Sequence, residues 1–245
     1  MKKGLSIIVA ILLTGLLIFS FFLTKDRKED ATCHNLIVVI KDSMDRNFLD
    51  EKDIVSLLKK SELYPVNQPF AQINTETIKQ KLLTNELVAS TNIYKTPSGS
   101  VKIEIMQKMP ILRVFNGQEN YYVDEFGSIM PASFRYATYL PIANGSIEKS
   151  VATTDLYEFA LFLHKHDFWN NQIEQIYIHP NKEVELIARV GDHRIILGDF
   201  EDFKEKMNKL QLFYEQAIPK LGWNRYEVIN LKYRGQIVCI KKEHV

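Results

Sequence analysis

Cysteine and glycine are scarce in this chain of 245 residues, and its charges cancel. Each shortage excludes something. Two cysteines, Cys33 and Cys239, lie about two hundred residues apart and do not amount to a disulfide framework. They read as free thiols, one in a linker and one on the apolar face of the last strand. Ten glycines leave little scope for a backbone cradle around phosphate. There is no Gly-rich phosphate loop, no G-x-S-x-G elbow and no H-E-x-x-H. Lys and Arg number 31 against 30 Asp and Glu, a net charge of +1. No basic run with interleaved aromatics is present, so nucleic acid is not an expected partner.

Charge is also missing from one long stretch near the N-terminus. Gly4 to Leu23 holds no charged residue, and at about 1.5 Å per residue its 20 residues would span about 30 Å of hydrocarbon. A cleaved signal peptide would have an apolar core of about 7–15 residues followed by a small-x-small site. The run here is longer and passes straight into Thr24, Lys25 and Asp26, so the expectation is an uncleaved anchor. Lys2 and Lys3 on one side nearly balance Lys25, Arg27 and Lys28 on the other, which leaves orientation open.

What is there, past the anchor, is patterned. Leu36 to Ile40 reads as a buried strand rich in β-branched residues. Asp50 is placed to cap a helix carrying Ile54, Leu57 and Leu58, with Leu49 as its staple. Asn74 caps a second helix, in which Ile78 and Leu82 share a face. Leu87 to Lys95 and Val101 to Lys108 alternate as strands about a turn at Thr96 to Gly99. The order strand, helix, helix, strand, strand predicts a small α+β unit.

Pro110 marks a boundary. Beyond it, Ile111 to Phe115, Tyr121 to Asp124 and Ser128 to Met130 predict strands, with a type I turn over Asp124 to Gly127. Tyr136 to Ile147 reads as irregular loop. A helix over 153–167 would bury Leu156, Phe159, Ala160 and Leu163. Strands follow at 173–178, 184–189 and 194–197. A long helix from Asp199 draws one apolar stripe through Phe200, Phe203, Met207, Leu210, Tyr214, Ala217 and Leu221.

The closing stretch runs from Val228 to Lys242. Its odd positions Ile229, Leu231, Tyr233, Ile237 and Cys239 are apolar, while Asn230, Lys232, Arg234 and Gln236 are polar, the period of a strand. A two-residue hairpin turn at Arg234 and Gly235 would force positive φ on arginine, which favours one bent strand over two.

Residues that could carry chemistry have simpler explanations. Ser56 and Lys59 form an S-x-x-K, with Ser90, Asn92, Lys95 and Thr96 echoing the other elements of penicillin-binding proteins. Those elements should come from separated segments, yet here they are nearly adjacent and Pro97 replaces the glycine. His164 and His166, two apart on a helix, point about 200° apart and cannot share a metal. Asp124 and Glu125 diverge on a tight turn. The chain reads as no enzyme, with no cofactor, no metal and no small-molecule substrate.

The pattern resembles the bacterial cell-division family FtsQ, or DivIB. The stretch Asn85-Glu-Leu-Val-Ala-Ser90, Ile93-Tyr-Lys95 and Val101-Lys-Ile-Glu-Ile105 looks like the end of that family's POTRA domain, and Lys108-Met-Pro110 like the junction after it. Tyr121-Tyr-Val-Asp-Glu-Phe-Gly127 with Pro131 is similar to the family's YxVDxxG…P hairpin. Ile229-Asn-Leu-Lys-Tyr233 is similar to its closing [VI]DLRY strand, with Asn230 where Asp is usual.

The resemblance implies an α+β fold with this organisation: 1–3 a cytoplasmic tail, 4–23 a transmembrane helix, 24–32 a linker and 33–109 a βααββ POTRA domain. Residues 110–245 would be a mainly β domain, with two amphipathic helices packed on a mixed or antiparallel sheet. It further implies a single-pass protein of the cytoplasmic membrane at the division septum, its body extracytoplasmic (periplasmic). It would be a non-catalytic scaffold that binds FtsB-like and FtsL-like proteins and connects through them to FtsW-like and FtsI-like synthases. In that family a partner adds a strand to the last strand of the β domain. By the match this places the contact at Leu231, Lys232, Tyr233, Arg234, Gly235, Gln236, Ile237 and Val238, with Tyr233 as anchor. The alternative readings are a POTRA-bearing, membrane-anchored transport or assembly factor and an anchored wall enzyme.

Overall fold

The computed structural model describes residues 12–16, 18–19, 32–41, 48–132 and 139–243. The expected anchor therefore lies largely outside the described residues, and among those described no helix is long and apolar enough to cross a membrane. The chain divides into two compact units between Gln107 and Lys108.

In the first unit β1 (Asn35–Ile40), α1 (Glu51–Lys60), α2 (Thr75–Leu83), β2 (Val88–Lys95) and β3 (Ser100–Gln107) follow one another. β3 lies in the middle of the sheet, parallel to β1 and antiparallel to β2. Its alternate residues Val101, Ile103 and Ile105 are wholly buried against Ile54 and Leu58 of α1 and Ile78 and Leu82 of α2. Lys102 and Glu104 fall on the opposite face. There Lys41, then Lys102 and Tyr94, hold the Glu104 carboxyl down at about 2. Asp50 caps α1 through a reciprocal box: its carboxylate accepts the Asp53 N–H at 2.9 Å, and that of Asp53 accepts the Asp50 N–H at 3.0 Å. Asn74 caps α2 by accepting from the N–H groups of Glu76 and Thr77.

The second unit begins with β4 (Pro110–Phe115), β5 (Asn120–Asp124), β6 (Ile129–Pro131) and β7 (Ile142–Gly145). Next come α3 (Lys149–Ala152), α4 (Asp155–Lys165), α5 (Asp167–Gln172), β8 (Ile173–Ile178), β9 (Val184–Ala188) and β10 (Arg194–Gly198). The unit closes with α6 (Phe203–Gln216), α7 (Ile218–Leu221), β11 (Tyr226–Asn230) and β12 (Val238–Lys241). Nine strands form one mixed sheet in the order β12-β11-β10-β9-β8-β7-β4-β5-β6. The pairs β4–β7, β7–β8 and β10–β11 are parallel and the others antiparallel. Leu156, Phe159, Ala160 and Leu163 of α4 are buried together with Phe203, Met207, Leu210 and Tyr214 of α6. The two helices meet through Phe159 and Phe203, edge to face at 5.4 Å. Alternate sheet residues, among them Val184, Leu186, Ile195, Leu197 and Ile229, complete this core. A POTRA-like unit followed by a mainly β unit with helices on a mixed sheet is the expected fold.

Three expectations need correction. Ile142 to Gly145 is a strand rather than loop, because β4 and β8 supply parallel partners on both its sides. Only Ala143 of the four is buried, so no alternation reveals it in the sequence. The long helix starts at Phe203 instead of Asp199. Gly198 at φ +89° and Asp202 at φ +48° turn the chain between them, and the Asp199 carboxylate accepts the Glu201 N–H within that turn. The last stretch is two strands, not one bent strand. β11 and β12 form an antiparallel hairpin whose turn holds Tyr233 to Gln236. Gly235, at φ +73°, takes the left-handed position and Arg234 does not. The objection to positive φ at arginine applied only to a two-residue turn, and this connection is longer.

Candidate partner-binding edge

β12 is an outermost strand of the nine-stranded sheet, and among the described residues no strand lies beyond it. Lys242 donates its N–H to the Arg225 carbonyl at 3.2 Å. Backbone groups of an antiparallel strand face alternate sides. Ile240 and Val238 therefore point their N–H and C=O groups at β11, whereas Cys239 and Lys241 point theirs outward. Outward groups of this kind are a template on which another strand can pair.

The side chains divide by the same period. Cys239 and the preceding Ile237 turn toward the core and stay only partly buried, as do Phe213 and Tyr226, which meet at 5.7 Å between ring centroids. Val238 and Ile240 lie on the opposite face, 41% and 56% exposed. Apolar surface thus stands open on both faces of this rim. Burial pushes the Cys239 thiol above its ordinary value, and both cysteines of the chain are free thiols. From Arg225 to Glu243 the chain carries five basic residues, Arg225, Lys232, Arg234, Lys241 and Lys242, against Glu227 and Glu243.

The eight residues picked out from the sequence occupy the turn that delivers β12. Leu231 is wholly buried and donates its N–H to the Ile196 carbonyl, extending the pairing of β11 with β10. Lys232 reaches Glu183 at 2.6 Å, and its stem lies where a Cβ on Gly198 would be, at 2.6 Å. Its N–H donates to the Asn230 side-chain oxygen at 3.0 Å, a bond that aspartate would accept equally well. Tyr233 is 48% exposed, and its carbonyl accepts from Lys209 Nζ of α6 at 2.9 Å. Arg234, Gly235 and Gln236 are exposed at the tip, Ile237 returns to the core, and Val238 opens β12. Of the eight, only Val238 belongs to the edge strand. The rest of β12 is Cys239, Ile240 and Lys241, and the alternation of the closing stretch ran on through Cys239.

The other quoted motifs also find physical roles. Asp124, fully buried, ends β5. Its carboxylate accepts the N–H groups of Phe126 and Ser128 at 2.9 and 2.8 Å, and Lys108 Nζ lies 3.4 Å from its second oxygen. The Glu125 N–H donates to the Met109 carbonyl. The junction residues Lys108 to Pro110 are thereby pinned to the β5–β6 turn. Gly127 closes that turn at φ +79°, with Tyr157 of α4 packed against it. Ser56 and Lys59 are exposed on α1. Among the described residues no group of three or more His, Cys, Asp or Glu is placed to hold a metal.

A POTRA-like domain model matches residues 31–106. Among solved structures, the chain is similar to the major extracytoplasmic domain of the trans isomer of the bacterial cell division protein DivIB from Geobacillus stearothermophilus. That likeness is slight: 15% identity and a TM-score of 0.32, over 46% of this chain and 96% of that one. No curated protein sequence matches the chain. The family model described as FtsQ/DivIB, C-terminal related, matches residues 109–240, more than half of the sequence, and the chain belongs to that family.

Proposed function

We propose that this protein is a non-catalytic scaffold of the bacterial division machinery, anchored in the cytoplasmic membrane with both units outside it. Its partner-binding element is the outer edge of β12. FtsB-like and FtsL-like proteins are its partners, and through them FtsW-like and FtsI-like synthases. Family membership supports the division role, and the open β12 edge carries the binding role. The site thus moves from Leu231–Val238 to Val238–Lys241, with the turn residues Tyr233 and Arg234 flanking it.

The rim favours a particular kind of strand. Apolar residues on both faces would cover Val238 and Ile240 on one side and Cys239, Ile237 and Phe213 on the other, at about 25 cal/mol per Å² of apolar area removed from water. Acidic residues at its ends would meet Lys241 and Arg234. The basic surplus also disfavours pairing with a second copy of the same rim.

Proline at Lys241 tests the reading, because it deletes an outward N–H and leaves the bonds from Ile240 and Lys242 to β11 in place. Lys241→Pro should abolish co-purification with an FtsB-like protein, while Lys241→Ala, which keeps the N–H, should retain most of it. Equal capture of the partner by both variants would remove the edge from consideration. Depletion should give filaments without septa, and normal septation would overturn the division role itself.

A further inference from the structure

His193 sits in the turn between β9 and β10 and is 2% exposed. Its Nε2 lies 2.6 Å from Tyr214 Oη of α6, and its ring stacks on Trp223 at 6.3 Å with 13° between planes. Trp223 in turn meets Tyr214 edge-on at 5.1 Å. Gly191, at φ +88°, closes the turn onto this ring; a Cβ there would lie 2.7 Å from His193 Nδ1. The charged groups that bear on the ring are Asp192 from its own turn and Lys242 from beyond β12, and these two pair with each other at 3.1 Å. The remaining polar groups facing it are the Tyr214 hydroxyl from α6 and the Trp223 carbonyl from the segment before β11. Burial outweighs them all and holds the imidazole below its ordinary value of 6.5. An imidazolium here would be a buried cation with no carboxylate of its own.

The same turn holds the end of the edge strand. Lys242 binds Asp192 through its side chain and the Arg225 carbonyl through its N–H, and Arg225 follows Trp223 by two residues. We propose that His193 is a proton-operated latch on the β11–β12 rim. When the ring nitrogen lacking a proton takes one from solvent, Gly191 to His193 and Trp223 part to hydrate the cation. Lys242 then leaves Asp192 and Arg225, and β12 frays from Lys241 backwards. Because the folded ring is held below 6.5, the closed rim is fully present above that pH and is lost as pH falls below it. The link from rim to partner rests on the edge reading above; the opening itself does not.

Amide hydrogen exchange on the full chain, corrected for intrinsic rates, tests the latch between about pH 7.5 and about pH 5.5. Protection of the Ile240 and Lys242 amides should fall about fivefold or more, the low end for coupled sites, while Ile176 and Leu186 in the sheet interior stay protected. His193→Gln keeps an acceptor for Tyr214 and cannot charge, so it should hold Ile240 and Lys242 protected at both pH values. Should that variant fail to fold, Lys242→Met cuts the tie outside the aromatic cluster and should leave Ile240 poorly protected at both. No change in the wild type, the same fall in His193→Gln, or a Lys242→Met protein that still follows pH like the wild type would each overturn the latch. If protection falls as expected but an FtsB-like partner is held equally at both pH values, the latch stands and the edge reading fails.

Discussion

The two rims of the nine-stranded sheet end differently. At one, β6 has three residues, its Met130 is wholly buried and Pro131 closes it. A short strand ending in proline is a poor template, since proline has no N–H to offer. At the other, β12 has four residues and no proline, with Val238 and Ile240 exposed and the core beneath it incompletely covered. One sheet thus shows both a finished edge and an unfinished one. The difference teaches that exposure at β12 is not forced by the architecture.

Substitutions at the two rims should separate stability from binding. The largest loss is expected at the finished rim, where Met130→Ala removes a fully buried side chain. It should cost about 2–5 kcal/mol in urea denaturation. A loss no larger than that of a surface variant would mean that this rim is no better packed than its opposite. Asp124→Ala, one strand further in, orphans two backbone N–H groups and leaves Lys108 without its carboxylate. About 1–3 kcal/mol is expected by the same measurement, and an unchanged urea midpoint would show that the turn stands without its acceptor. The smallest effect belongs to the open rim. Ile240→Ala should stay within about 0.5 kcal/mol of the parent, yet weaken capture of an FtsB-like partner. A large stability loss with binding intact would invert the comparison.

The POTRA-like unit was legible in the sequence almost element by element, because both helices carry capping residues and β3 alternates cleanly between a buried and a solvated face. The β unit was legible where helices bury an apolar stripe, as α4 and α6 do. It was obscure where neighbours alone decide. β7 is a strand because two parallel strands flank it, and nothing within Ile142 to Gly145 announces this. The closing hairpin misled for a sharper reason. Ile229 lies opposite Cys239 and Asn230 opposite Val238, so facing residues share parity. The period of two therefore passes through the turn unbroken, and alternation cannot distinguish one strand from two. The family motif covers the end of β11 and the start of its turn, and stops before the edge strand.

The proline at the end of β6 has a consequence for stoichiometry. A sheet with two receptive rims can propagate head to tail, each copy offering one rim to the next, and such contacts build filaments without limit. Here one rim is a dead end. A strand added at β12 therefore cannot be answered by one at β6, and growth along this sheet stops after a single addition. A nine-stranded sheet with one receptive rim takes up one added strand and cannot propagate through its own two edges.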